Sequence, residues 1–175
     1  MKSSTRKLAI TSMGIALFVV LSLCLQVPVF QNYYLCLGYV VMTFYCYSVG
    51  IISGTLIGTI GVILYCLLIG GLNGMPGWAC GNLVLGIIMG ITFKCVRKLK
   101  SPLMQDIISA IVIIIATAIA ILGIKSGVEY FLYYEPFLFR VARNMYAFAA
   151  DAFVIIVSLS FCRLLESKLR KIIKN

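Results

Sequence analysis

The sequence predicts an all-α membrane protein: one domain over residues 1–175 with six transmembrane helices, both termini cytoplasmic and no soluble domain. Three observations carry that expectation. Only 11% of residues are charged and 62% are hydrophobic, whereas soluble domains devote about a quarter of their residues to charge. At roughly 20 apolar residues per crossing, the chain has room for about five to seven spans and little else. Finally, of the fifteen basic residues, all but Lys125, Arg140 and Arg143 fall in three clusters that border apolar runs. The clusters are Lys2, Arg6 and Lys7; Lys94, Arg97, Lys98 and Lys100; and Arg163, Lys168, Arg170, Lys171 and Lys174. Such clusters mark cytoplasmic segments under the positive-inside rule.

The elements follow in order. Helix 1 is expected at about 8–27, too long for a signal-peptide core and without a small-x-small cleavage site, so it is read as a retained span. The segment "VPVFQNYY" (27–34) breaks it. The apolar stretch from Leu35 to about Gly71 is too long for one helix, and a turn near "YSVGIISG" divides it into helices at about 35–49 and 51–70. "GGLNGMPGWACGN" (70–82) ends the third helix and starts the fourth, at about 78–95, with Pro76 suited to a first helical turn. The basic loop "KCVRKLKSP" precedes helix 5 at about 104–124, and "KSGVEYFLYYEPF" leads to helix 6 at about 139–162.

Parity supports six. With the N-terminus inside, six crossings place all three basic clusters on one side, and the outer loops 27–34, 70–78 and 125–138 hold a single basic residue, Lys125. Five crossings would put the basic tail outside. The helix 2–3 turn has no charge and is inferred from length and parity alone. Small residues four apart, Gly50, Gly54 and Gly58, then Gly77 and Gly81, then Gly86 and Gly90, suit close helix packing. That packing is read chiefly as intramolecular, with a partner interface as the alternative.

Several function classes drop out. The charge of +10 lies at membrane borders, not in a nucleic-acid footprint. Seven cysteines without a CxxC pair, and no histidine, give no zinc motif and no Ser-His or Cys-His nucleophile; they are read as small apolar packing residues. An intramembrane aspartyl protease needs two facing carboxylates, and Asp151 has no evident partner. A Walker A loop is missing as well. No cofactor, metal or catalytic residue is expected.

Ionisable residues at membrane depth are functional candidates by default. Arg140, Asn144, Ala147 and Asp151 fall at i, i+4, i+7 and i+11 of helix 6, one stripe with Arg143 beside it. Asp151 either neutralises an arginine or an unpaired backbone group, or faces ligand. The outer loops add amides, carboxylates and aromatic rings, a mixture that suits a flat molecule with polar edges. The candidate binding set is Asn32, Tyr34, Asn73, Trp78, Asn82, Tyr130, Tyr133, Glu135, Arg143, Asn144 and Asp151. Part of the aromatic content is equally an interfacial belt.

The basic start, six helices, a length under 200, "AITSMGIAL" in helix 1 and "VGIISGTLIGTIG…GMPGWACGNLVLGIIMG" across helices 3 and 4 resemble the substrate-binding S component of an energy-coupling factor (ECF) transporter. The resemblance covers nearly the whole chain. It implies a vitamin pocket at the outer side between helices 4–6 and the outer loops, in the bacterial plasma membrane. It also implies assembly with a membrane T component and two cytoplasmic ATPase subunits, and toppling to release substrate inward. The family's docking face carries small residues four apart on helix 1; the nearest match here is Ser12 and Ala16, with Ala9 a turn before.

The resulting expectation is a binding subunit for a vitamin or related heterocycle, not itself an enzyme. The alternatives are a stand-alone carrier or channel, and a lipid-modifying membrane enzyme. A channel would need polar residues along its whole path, a proton-driven carrier more mid-membrane acids than Asp151, and a lipid enzyme carboxylates or phosphate binders at the inner face. Riboflavin, a folate, a queuosine precursor and a pantothenate-like acid suit the residues equally.

Overall fold

The computed structural model describes residues 2–24, 27–30 and 33–174, with side chains described for 5–24 and 35–163. The chain begins with α1 (Lys2–Cys24), followed by a short antiparallel hairpin, β1 (Val27–Phe30) and β2 (Tyr33–Leu35), with Val27 opposite Leu35. Then come α2 (Gly38–Ser48), α3 (Ile51–Ile69), α4 (Met75–Val96) and α5 (Pro102–Ala118). A π-helical segment, Ile119–Lys125, joins α5 to α6 (Ser126–Tyr133), and α7 runs from Phe137 to Lys174.

Among the described residues, five helices are long and apolar enough to cross a membrane: Thr5–Cys24, Ile51–Ile69, Met75–Val96, Pro102–Tyr133 and Phe137–Arg163. The expected second helix is shorter than 35–49. Its 11 residues rise about 16 Å at 1.5 Å each, against a hydrocarbon core of about 30 Å. The hairpin takes up the residues before it. The turn after it lies where expected, at Val49 and Gly50, and Gly50 has φ 126°, a conformation open chiefly to glycine.

The other large departure is at the fifth helix. Residues 125–133, expected in a loop, are helical, and the run Pro102–Tyr133 is 32 residues long. A π insertion adds one residue to a turn without breaking backbone pairing, so Gly123 and Gly127 do not end the helix. Tyr134 does, with φ 56° and its N–H bonded to the Tyr130 carbonyl. Pro136 follows and leads into α7. The expected basic tail after 162 is likewise helical, to Lys174.

Packing explains the glycines. A Cβ on Gly86 would lie 2.7 Å from the Cα of Thr55, and one on Gly90 2.8 Å from the Cα of Ile51, so α4 meets α3 backbone to backbone. Gly81 meets the carbonyl of Ala120 in the π segment in the same way, at 2.8 Å. These small residues therefore serve contacts within the chain. The exterior is apolar, with Ile52 76% and Leu68 66% exposed, while Thr43, Asn82, Thr117, Asn144 and Asp151 are buried. An apolar outside around a polar inside is how a bundle fits lipid, where polar groups must find partners within the protein.

Candidate binding site

At the end of the bundle where α3 runs into α4 and α6 into α7, a cavity of about 600 Å³ opens. Asn73 and Gly74 come from the α3–α4 turn, and Lys125, Glu129 and Tyr133 from the end of the π segment and α6. Glu135 lies in the following turn, and Arg140, Arg143 and Asn144 are on the first turns of α7. Lys125, Glu129 and Tyr133 are four apart, so continuous helix through this stretch puts them on one face.

The wall is organised around Glu129 and Arg140. Buried Asn144 donates from Nδ2 to Ser126 Oγ and to Glu129 Oε2, both at 3.0 Å, and pins α7 to α6. Arg140 lies between two carboxylates, 3.6 Å from Glu129 and 2.8 Å from Glu135, with its guanidinium 4.9 Å from the Tyr133 ring centre. The closer approach, Arg140 Nε to Glu135 Oε2, is an ion pair without hydrogen-bond alignment, and both atoms lack an aligned partner. The Tyr133 hydroxyl donates to the carbonyl of Asn73 and ties the α3–α4 turn to α6. Arg143 is exposed and has no ion pair among the described residues.

Beneath this wall lies a second, buried polar group. Trp78 Nε1 donates to the Tyr39 hydroxyl at 2.8 Å, and that hydroxyl donates to Asn82 Oδ1 at 2.7 Å. Asn82 Nδ2 in turn donates to the Gly58 carbonyl at 3.0 Å, which fixes the orientation of the amide. The Asp151 carboxyl is within hydrogen-bonding reach of the same tyrosine hydroxyl, and Lys125 is the cation whose charge acts on it. Lys125 connects the two groups: it lines the cavity, and its ammonium is 6.0 Å from the centre of the Trp78 ring. Lys125 thus faces both the cavity and the buried polar group beneath it.

The structure brings Asn73, Tyr133, Glu135, Arg143 and Asn144 of the candidate set into the cavity wall. Trp78, Asn82 and Asp151 lie in the layer below, Asn82 and Asp151 being 1% and 5% exposed. Trp78 and Asn82 are on helix α4, within the expected span 78–95, and the helix begins earlier, at Met75. Tyr130 is away from the cavity wall, on the outer surface against Phe131. Asn32 and the side chain of Tyr34 lie outside the described residues.

The candidate set drawn from the sequence left out Lys125, Glu129 and Tyr39. The 125/129/133 spacing would have exposed the first two once the stretch was read as helix. Tyr39 sits in "CLGYVVMTFYCYS", where nothing in the sequence separates it from its aromatic neighbours.

A sequence model of the family described as "ECF-type riboflavin transporter, S component" matches residues 2–166. Among curated proteins no match is found.

Proposed function

The chain belongs to the family of S components of ECF-type riboflavin transporters, multi-pass proteins of the bacterial plasma membrane, and on that footing we propose that its cavity captures riboflavin from outside. The family is one of transporter subunits, not enzymes. In this reading a partner T component and two ATPase subunits supply the energy, and the ligand step itself needs no ATP.

The observation that carries the reading is the Arg140–Glu135 contact. A guanidinium nitrogen and a carboxylate oxygen lie 2.8 Å apart in the cavity wall, beside exposed Arg143 and the Asn73 turn. Such a wall sets donors and acceptors side by side, which suits a ligand with both on its edge. The isoalloxazine ring of riboflavin presents such an edge and a flat apolar face for Tyr133. A cavity of about 600 Å³ is within the usual range for small-molecule sites. The test is titration of purified protein with riboflavin in the absence of ATP, followed by flavin fluorescence. Saturable binding supports the reading; no binding, alongside binding of another vitamin in a parallel thermal-shift screen, replaces the ligand while keeping the site.

The reading includes six crossings with both termini inside. Ser22 Oγ lies 3.4 Å from Cys36 Sγ at one end of α1, and Thr11 Oγ1 bonds Ser53 Oγ at 2.9 Å near the other. Residues 36–53 therefore travel back along α1. Burial of Tyr39, Met42 and Cys46 against other helices lets a short α2 return without facing lipid along its whole length. Ala9, Ser12 and Ala16 are all exposed on α1 and offer a small-residue face for the T component.

A further inference from the structure

A second cavity, of about 610 Å³, opens at the opposite end of the bundle and takes no part in the site above. It lies where the start of α1, the α2–α3 turn and the end of α4 converge. Lys7 lines it from α1, and Lys94 and Arg97 line it from the last turns of α4; among the described residues no acidic one does. Arg97 is held in place: its guanidinium is 4.5 Å from the Tyr47 ring centre and donates to the Tyr47 carbonyl. Thr11 Oγ1 bonds Ser53 Oγ and fixes the spacing of α1 and α3 across the floor. Leu8, Ile52 and Leu56 form an exposed apolar border to the same cavity.

We infer that this cavity binds the phosphate-bearing head group of an anionic membrane lipid. Three cations from two helices converge on one cavity, with no compensating carboxylate among the described residues, so the site favours an anion. The apolar border decides between the two sources of phosphate. A free phosphate has no use for Leu8, Ile52 and Leu56, whereas a phospholipid places its acyl chains there while its head group meets the lysines. Each basic side chain near an anionic lipid surface contributes about 1 kcal/mol, or about fivefold in affinity. The first turn of α3 at Gly50, which lacks a side-chain cap, adds amide donors but does not carry the site.

The test uses the full chain in neutral detergent, with phosphatidylglycerol or phosphatidylcholine of identical acyl chains added and retained lipid counted by native mass spectrometry. Wild type is expected to retain phosphatidylglycerol in preference. The double variant Lys7→Gln/Lys94→Gln should weaken that retention by about twenty-five-fold, while Lys98→Gln/Lys100→Gln, an equal charge change outside the cavity, leaves it intact. Inorganic phosphate at the same concentration should not displace the lipid. Equal retention of the two lipids by wild type, equal losses in both double variants, or displacement by phosphate would each overturn the inference. Lys7 and Lys94 are exposed, so their replacement leaves the packed interior unchanged, and the wild-type comparison needs no variant at all.

Discussion

Asn144 on α7 donates to Glu129 on α6 at 3.0 Å, and the same carboxylate oxygen lies 3.6 Å from the Arg140 guanidinium. One buried amide therefore holds the acid that holds the arginine. Asn144→Ala removes two donated hydrogen bonds and leaves Glu129 and Ser126 short of partners, at about 1–3 kcal/mol for a buried group. Riboflavin affinity is expected to fall at least about tenfold, 1.4 kcal/mol. Asn144→Asp should do at least as badly, since it sets a second carboxylate beside Glu129. Wild-type affinity in both variants, measured by flavin titration, would remove Asn144 from the site.

Arg140 and Glu135 should behave unequally. Glu135 is partly exposed, so its ion pair contributes at most about 1 kcal/mol to stability, and Glu135→Gln keeps a hydrogen-bonding edge. Arg140→Met leaves two carboxylates facing one cavity without the cation between them. We expect Arg140→Met to weaken binding by about ten times more than Glu135→Gln. A double-mutant cycle gives the coupling directly; additive effects would mean that the pair does not act as a unit.

Much of this architecture was legible in the sequence because lipid imposes simple rules. Helix 3 was expected at 51–70 and occupies Ile51–Ile69, because Gly50 and Gly70 both take positive φ at its ends. The glycine pairs of α4 predicted close packing, and Thr55 and Ile51 are what they pack against. Two stretches escaped. A π insertion has no sequence signature comparable to proline, so 125–133 looked like a loop rich in tyrosine. Nor does hydropathy distinguish a short helix buried in protein from a full crossing, because the apolar residues of α2 contact protein as readily as they would lipid. The polar layer at Tyr39, Trp78 and Asn82 depends on contacts between residues about forty apart, which no local pattern records.

The helix seam makes a stability prediction independent of ligand. Gly86→Ala places a methyl group 2.7 Å from the backbone of Thr55, where only a shift of α3 or α4 relieves the clash, at about 1–3 kcal/mol. Gly74 has nothing within 4 Å of its would-be Cβ, and Gly74→Ala should leave the melting temperature nearly unchanged. Thermal unfolding in detergent separates the two; equal melting temperatures would mean that α3 and α4 are not so closely apposed.

Topology has its own test. If the chain crosses six times, a reporter fused after Asn175 and one inserted in the 97–101 loop should both be active only in a form that reads the cytoplasm. An insertion at Glu135 should read the exterior. A tail found outside would require α2 to remain on the outer side, with α1 and α3 then running antiparallel. The Thr11–Ser53 contact near the starts of both helices opposes that arrangement, and the reporters test it directly.

Trp78 is the only tryptophan and provides an internal probe of where ligand binds. Its ring lies 6.0 Å from the ammonium of Lys125, which lines the cavity, so a flavin in that cavity sits within one or two side chains of the indole. Flavins absorb where tryptophan emits, and at such separations energy transfer should quench most of the Trp78 fluorescence. The quenching should saturate at the same ligand concentration as the flavin signal. Trp78→Phe removes the probe and also the 2.8 Å hydrogen bond to Tyr39, while keeping the aromatic contact with Tyr65. If Trp78 acts by orienting Tyr39 toward Asn82, the Phe variant binds more weakly but retains its fold. Undiminished tryptophan emission at saturating riboflavin, after correction for absorption by free flavin, would place the ligand elsewhere on the molecule.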